Sequence, residues 1–147
     1  MLNDIRTLSG APASRFAFGT MQFGGRADAA ASRAMYDACR TAGLNHFDTA
    51  FVYTDGQAET LLGQVAKSER DDLLIATKAG YTGGAGPRNL QAQFDESRRR
   101  LGMDMVDILY LHRFDPETPL QDSLGWLARQ KEAGSIRYLG LSNFAAW

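Results

Sequence analysis

Short apolar runs that read as strands alternate with amphipathic runs that read as helices along almost the whole chain. Residues 16–23 form the first strand-like run, which stops at Gly24 and Gly25. Asp28 is placed to cap a helix running to about Ala42. Ala31, Ala34, Met35, Ala38 and Ala42 recur there at helical spacing, and Gly43 ends it. Residues 44–50 are the next strand, and Ala58, Leu61, Leu62 and Val65 mark the next helix. The apolar run at 73–78 suits a strand buried on both faces. After a glycine-rich loop at 80–87, Leu90, Phe94 and Leu101 mark a helix that ends at Gly102. Residues 105–112 form the fourth strand. Thr118, Pro119 and Gln121 then have the pattern of a capping box, followed by an apolar stripe of Leu120, Leu124, Leu127 and Ala128. Residues 136–143 are the fifth strand, and residues 1–15 are expected to form a short covering element.

Strand–helix alternation implies a parallel sheet with right-handed crossovers. A doubly wound open sheet and a (β/α)-barrel both satisfy it. The polar residues separate the two. They gather at the C-terminal strand ends: Thr20 and Gln22, then Asp48 with Tyr53, then Lys78, then His112, then Ser142 and Asn143. A barrel draws its active site from several strand ends on that face. An open sheet concentrates its ligand contacts at one switch point. The spread favours the barrel.

Composition narrows the function classes. The 147 residues, 44% hydrophobic and 22% charged, suffice for one domain with a real core. The net charge of −1 provides no strong field toward nucleic acid or an anionic membrane, so a small-molecule or protein partner is expected. The run Arg98, Arg99, Arg100 reads as a solvated helix face. Cys39 is the sole cysteine and reads as a small buried hydrophobe in a reducing compartment. No signal-like N-terminus is visible and no apolar run approaches the ~20 residues of a membrane span, so a cytoplasmic location is expected. With His46 and His112 as the only histidines, no metal-ligand spacing exists and no metal is expected. His46, early in its strand, reads as a packing or capping residue. The glycines at 83–86 lack a phosphate-loop pattern and read as a flexible strand-to-helix loop.

The residues at the strand ends make one chemical set. A phenol titrates near ~10, too high for easy proton transfer at neutral pH. A nearby ammonium stabilises the phenolate. Lys78 can supply that ammonium, Asp48 can hold the lysine, and His112 can orient a substrate oxygen. Taken singly, Asp48 reads as a turn residue, Lys78 as a surface lysine, Tyr53 as a rim aromatic and His112 as a structural histidine. Their coincidence on one face carries the functional reading. The set holds no nucleophile for acyl transfer and no redox group, so a hydride donor must come from a cofactor.

The segment GLNHFDTA at 43–50, followed by Tyr53 and ETLLG at 59–63, closely resembles the aldo-keto reductase signature. IATK at 75–78, DILYLH at 107–112 and LGLSNF at 139–144 resemble the later blocks of that family, in order and at fitting spacing. HRFD at 112–115 with Thr118 and Pro119 is similar to its bacterial, long-chain branch. The resemblance implies a (β/α)8 TIM barrel and NADPH-dependent reduction of aldehydes or ketones. It implies Tyr53 as proton donor, Lys78 and Asp48 as its tuning partners, and His112 as the carbonyl-orienting residue. Ser142 and Asn143 match the residues that hold the nicotinamide carboxamide. Gly19 and Thr20 lie in the block that runs under the cofactor, and the resemblance implies Asp48 as a further cofactor-binding residue.

A (β/α)-barrel has eight strands over ~250 residues. The expectation for residues 1–147 is therefore a single domain holding strands 1–5 and helices 1–4 of an incomplete barrel, without strands 6–8. In the family, the later part supplies most of the pocket for the adenosine and its 2′-phosphate. Unpaired first and fifth strands invite self-association through the barrel edges. The isolated chain is expected to show no carbonyl reduction. The alternative readings are an NADPH-sensing subunit without catalysis and an inert truncated remnant.

Overall fold

The apolar run at 73–78 does lie at the centre of a parallel sheet, as its composition predicts. The computed structural model describes residues 5–145. Its elements run β1 (Phe18–Gly19), α1 (Ala29–Thr41), β2 (His46–Asp48), α2 (Gln57–Ala66), β3 (Leu74–Ala79), α3 (Pro87–Leu101), β4 (Val106–Leu111), α4 (Leu120–Glu132) and β5 (Ile136–Leu141). The sheet order is β1-β2-β3-β4-β5, with every neighbouring pair parallel. Each strand adds beside its predecessor without reversal. That is the winding of a (β/α)-barrel and not of a doubly wound sheet. Among the described residues nothing joins β5 back to β1, so the barrel is incomplete.

The core lies between the sheet and its helices. Phe47, Ile75, Leu109 and Leu111 from the strands pack with Tyr36, Leu62, Leu90, Phe94 and Leu127 from the helices, all at most 1% exposed. Each such side chain contributes about 1.5–3 kcal/mol by leaving water. The α2 and α3 backbones touch at Gly63, where a Cβ would stand 2.2 Å from the Leu101 carbonyl oxygen. On β4, the carboxylate of fully buried Asp107 is paired with Arg70 and Arg137 at 2.7 Å each and accepts the Ile75 amide. The covering element begins as a hairpin-like segment. Arg6 and Pro12 bridge antiparallel, and the Asn45 side chain bonds the Pro12 carbonyl and the Ser14 amide. Residues 1–4 of that expected element lie outside the described residues.

Several local expectations change. Asp28 caps α1 by accepting the Ala31 amide at 2.8 Å, as expected. The buried face, however, is Ser32 and Tyr36, while Ala34, Met35, Ala38 and Ala42 are exposed and Cys39 is only partly buried. One large aromatic decides the orientation: Tyr36 lies against Phe47 with ring centroids 4.8 Å apart, and its phenol donates to Glu69. In α4 the buried residues are Ser123, Trp126 and Leu127, whereas Ala128 is exposed. Thr118 makes no helix cap; its hydroxyl donates to Asp115 at 2.6 Å, and the backbone of Pro119 starts the helix. The glycine-rich loop is tied down. Asp115 accepts the Ala85 amide, Asn89 donates to the Thr82 and Gly84 carbonyls, and Gln93 donates to Thr82.

The arginine run also departs from a uniformly solvated face. The Arg99 side chain is 73% exposed, but that of Arg100 is only 16% exposed and turns inward against Glu59. A guanidinium on an amphipathic stem can follow apolar surface to a buried carboxylate, which sequence spacing does not reveal.

Candidate active site

Parallel pairing brings the polar strand ends into one cluster. Asp48 ends β2 opposite Gly19, and Lys78 lies near the end of β3 opposite Tyr110. The Lys78 ammonium is 7% exposed as a residue and makes three contacts. It donates to the Asp48 carboxylate, to the Thr49 carbonyl at 2.8 Å, and to the Tyr53 phenol oxygen at 3.3 Å. The carboxylate and the carbonyl offset the cost of burying the ammonium.

Tyr53 opens a tight turn over Tyr53–Gly56. Thr54 and Asp55 in that turn have φ of 48° and 52°, a region that side chains other than glycine rarely adopt. The Thr54 hydroxyl holds the strained turn, donating to the Phe23 carbonyl at 2.7 Å and accepting the Ala58 amide at 3.0 Å. Tyr110 is the other tyrosine near the lysine, its ring centroid 6.0 Å from the ammonium. Burial, then the charge of Asp48, pushes the Tyr110 phenol above its usual range. Of these two phenols, Tyr53 is the one that accepts a hydrogen bond from the lysine.

His112 follows β4, its amide bonded to the Ala79 carbonyl at 2.8 Å. Its ring stands edge-on to Tyr53 with centroids 5.9 Å apart, and Tyr81 covers it at 4.9 Å. Burial, then the Lys78 charge, pushes its titration down to about 4. His112 is thus neutral at pH 7 and can direct a ring nitrogen at a substrate oxygen without adding charge. Its Nδ1 is buried with no hydrogen-bond partner among the described residues. His46 is also held below its usual range, chiefly by burial, and its Nε2 lacks a partner in the same sense. It packs at the start of β2 and takes no part in the cluster.

The residues matched to the cofactor flank the cluster. Thr20 is fully buried, with its amide and hydroxyl bonded to the Asp48 carbonyl at 2.8 and 3.1 Å. It secures β2, while Gly19 is exposed with open space where a Cβ would sit. The Ser142 amide bonds the Leu111 carbonyl, and the Asn143 side-chain amide donates to the His112 carbonyl at 2.9 Å and to the Ser142 hydroxyl at 3.1 Å. A carboxamide needs one acceptor and one donor. Asn143 Oδ1 and the Ser142 hydroxyl offer that pair, so the residues present fit a nicotinamide.

The structure thus gathers Asp48, Tyr53, Lys78 and His112 and sets Gly19, Thr20, Ser142 and Asn143 beside them. Four contributors went unread in the sequence: the Thr49 carbonyl, Tyr81, Glu59 and Arg100. Tyr81 follows Lys78 closely enough for its position to be a signal. A backbone carbonyl and a long-range ion pair leave none.

Comparison with known proteins agrees with this geometry. The model of the Aldo/keto reductase family matches residues 15–147. The chain is similar to aflatoxin B1 aldehyde reductase member 2 of Rattus norvegicus, 40% identical over 148 residues, covering 97% of this chain and 40% of the relative. It is similar to a probable voltage-gated potassium channel subunit beta of Oryza sativa, 34% identical over 149 residues, covering 94% of this chain and 45% of the relative. The fold matches the holo form of an aldo-keto reductase from Bacillus halodurans with a TM-score of 0.84 and 27% identity, over 98% of this chain and 51% of that one. The chain spans less than half the length of these curated relatives. With a family match over nearly all of its length and the strand-end cluster in place, the chain belongs to the aldo/keto reductase family.

Proposed function

We propose that this site reduces the carbonyl of a small aldehyde or ketone to an alcohol. The observation that carries the reading is the Lys78 ammonium bonded to both Asp48 and the Tyr53 phenol. A reduced nicotinamide, NADPH in this reading, supplies hydride when bound. Tyr53 gives its proton to the carbonyl oxygen as negative charge develops there. Lys78 stabilises the phenolate left behind, and Asp48 keeps the ammonium in place. Neutral His112 hydrogen-bonds the carbonyl oxygen and sets its angle to Tyr53. Ser142 and Asn143 hold the carboxamide, and Gly19 leaves room for the cofactor. Membership in the bacterial, long-chain branch belongs to the same proposal, since the relatives include mammalian and plant proteins.

The test joins residues 1–147 to the closing strands of a similar barrel and follows NADPH oxidation with a small aromatic aldehyde. Expected is turnover that Tyr53→Phe abolishes while NADPH affinity survives. Undiminished turnover in Tyr53→Phe overturns the assignment. The similarity to a channel subunit supports a second reading, a cofactor-sensing subunit. Tight NADPH binding without turnover in the unsubstituted protein would favour that reading, and neither binding nor turnover would mark an inert remnant.

A further inference from the structure

Arg100 lies outside the catalytic cluster, yet its contacts converge on the turn that carries Tyr53. Its Nη1 donates to the Phe51 carbonyl at 2.9 Å and to Glu59 at 3.2 Å, and its Nε donates to Glu96 at 2.9 Å. The guanidinium also covers the Phe51 ring at 4.5 Å. Phe51 stands two residues before Tyr53, and its amide is bonded to the Lys78 carbonyl at 3.0 Å. Gly56, at the far end of the turn, has φ +89°, and a Cβ there would lie 2.5 Å from the guanidinium carbon. Arg100 therefore sits directly under the strained turn. The other side of the ion pair reaches the lysine. Glu59 is fully buried, and its second oxygen accepts the Thr77 hydroxyl at 2.6 Å, one residue before Lys78.

We propose that Arg100, through Glu59 and the Phe51 carbonyl, is a positioning residue that sets the approach of Tyr53 to Lys78. The proposal rests on the carbonyl-reduction reading of those two residues. The planar fork presents Nη1 to the Phe51 carbonyl and Glu59 and Nε to Glu96, so one rigid group spans partners on both of its edges, whereas a lysine ammonium is a compact point charge. The ion pair is thus more than a tie between α2 and α3. It fixes β3 and the tyrosine turn against one another, and reacting groups tolerate only small displacements.

The experiment uses the 147-residue chain with labelled tyrosine and lysine, and reads the nuclear Overhauser effect between the Lys78 ε-methylene and the Tyr53 ring. Tyr53→Phe assigns the signal. In Arg100→Ala the effect should fall about threefold, the inverse-sixth-power consequence of a displacement of about 1 Å. Guanidinium ion at low concentration should restore it, and sodium should not. Arg100→Lys keeps a charge against Glu59 and guards against simple unfolding; it should keep the Gly63–Leu101 helix contacts while weakening the Lys78–Tyr53 signal. An unchanged signal in both variants overturns the proposal, as does a loss that follows α2–α3 separation in Arg100→Lys. The functional reading fails separately, by turnover that survives Tyr53→Phe, and that result leaves the positioning measurement intact.

Discussion

The Lys78 ammonium donates to the Tyr53 phenol oxygen at 3.3 Å while also bonded to Asp48 and to the Thr49 carbonyl. Two acceptors anchor the lysine, and its remaining donor is directed at the Tyr53 oxygen. In the proposed reduction this is a prearranged site, because the ammonium need not move when the phenolate forms.

Lys78→Met should lower kcat for carbonyl reduction by about 10²-fold or more, the usual scale for a general acid deprived of its tuning partner. Asp48 would then lose its cation as well. Stopped-flow measurement of NADPH oxidation in the barrel-closed protein checks this. A loss of less than a few-fold would mean that the phenol does not depend on the ammonium.

The titration of His112 makes acid stability informative. Its folded value is about 4, below its ordinary 6.5, so the unfolded chain binds a proton more readily. The contribution is intact above about 6.5, is lost as pH falls toward about 4, and then levels off. His46 is shifted in the same direction and adds to the effect. His112→Gln should flatten the decline across that window in urea titrations at stepped pH. Identical slopes for the two proteins would contradict the assignment.

Gly63→Ala should destabilise the fold by about 1–3 kcal/mol, because the new methyl meets the Leu101 carbonyl oxygen and must push α2 from α3. Chemical denaturation reads the loss. The neighbouring exposed change Gln64→Ala serves as a control that should stay within about 0.5 kcal/mol of the native sequence.

Residues 1–147 alone should give no NADPH-dependent carbonyl reduction. Among the described residues β1 and β5 are sheet edges, and Leu139 and Leu141 on β5 are 42% and 44% exposed. We propose that the edges pair between copies. Sedimentation should show concentration-dependent association, and robust turnover by a purified monomer would refute the expectation.

Much of this protein was determined by local pattern alone. The apolar run at 73–78, the caps at Asp28 and Gly102 and the strand–helix alternation specify a parallel sheet, because hydrophobic period and turn chemistry act over a few residues. Asp48, Tyr53, Lys78 and His112 were legible because parallel strands put all their C-terminal ends on one side. Tertiary structure decided what periodicity leaves open. A helix wheel for α1 offers two faces, and the contact of Tyr36 with Phe47 selected the one that leaves Met35 exposed. A run of three arginines looks uniform, yet only Arg100 lies opposite Glu59 and the Phe51 carbonyl, which are 41 and 49 residues away in the chain. Such pairings depend on how helices pack across the sheet, and that geometry exists only once the chain has folded.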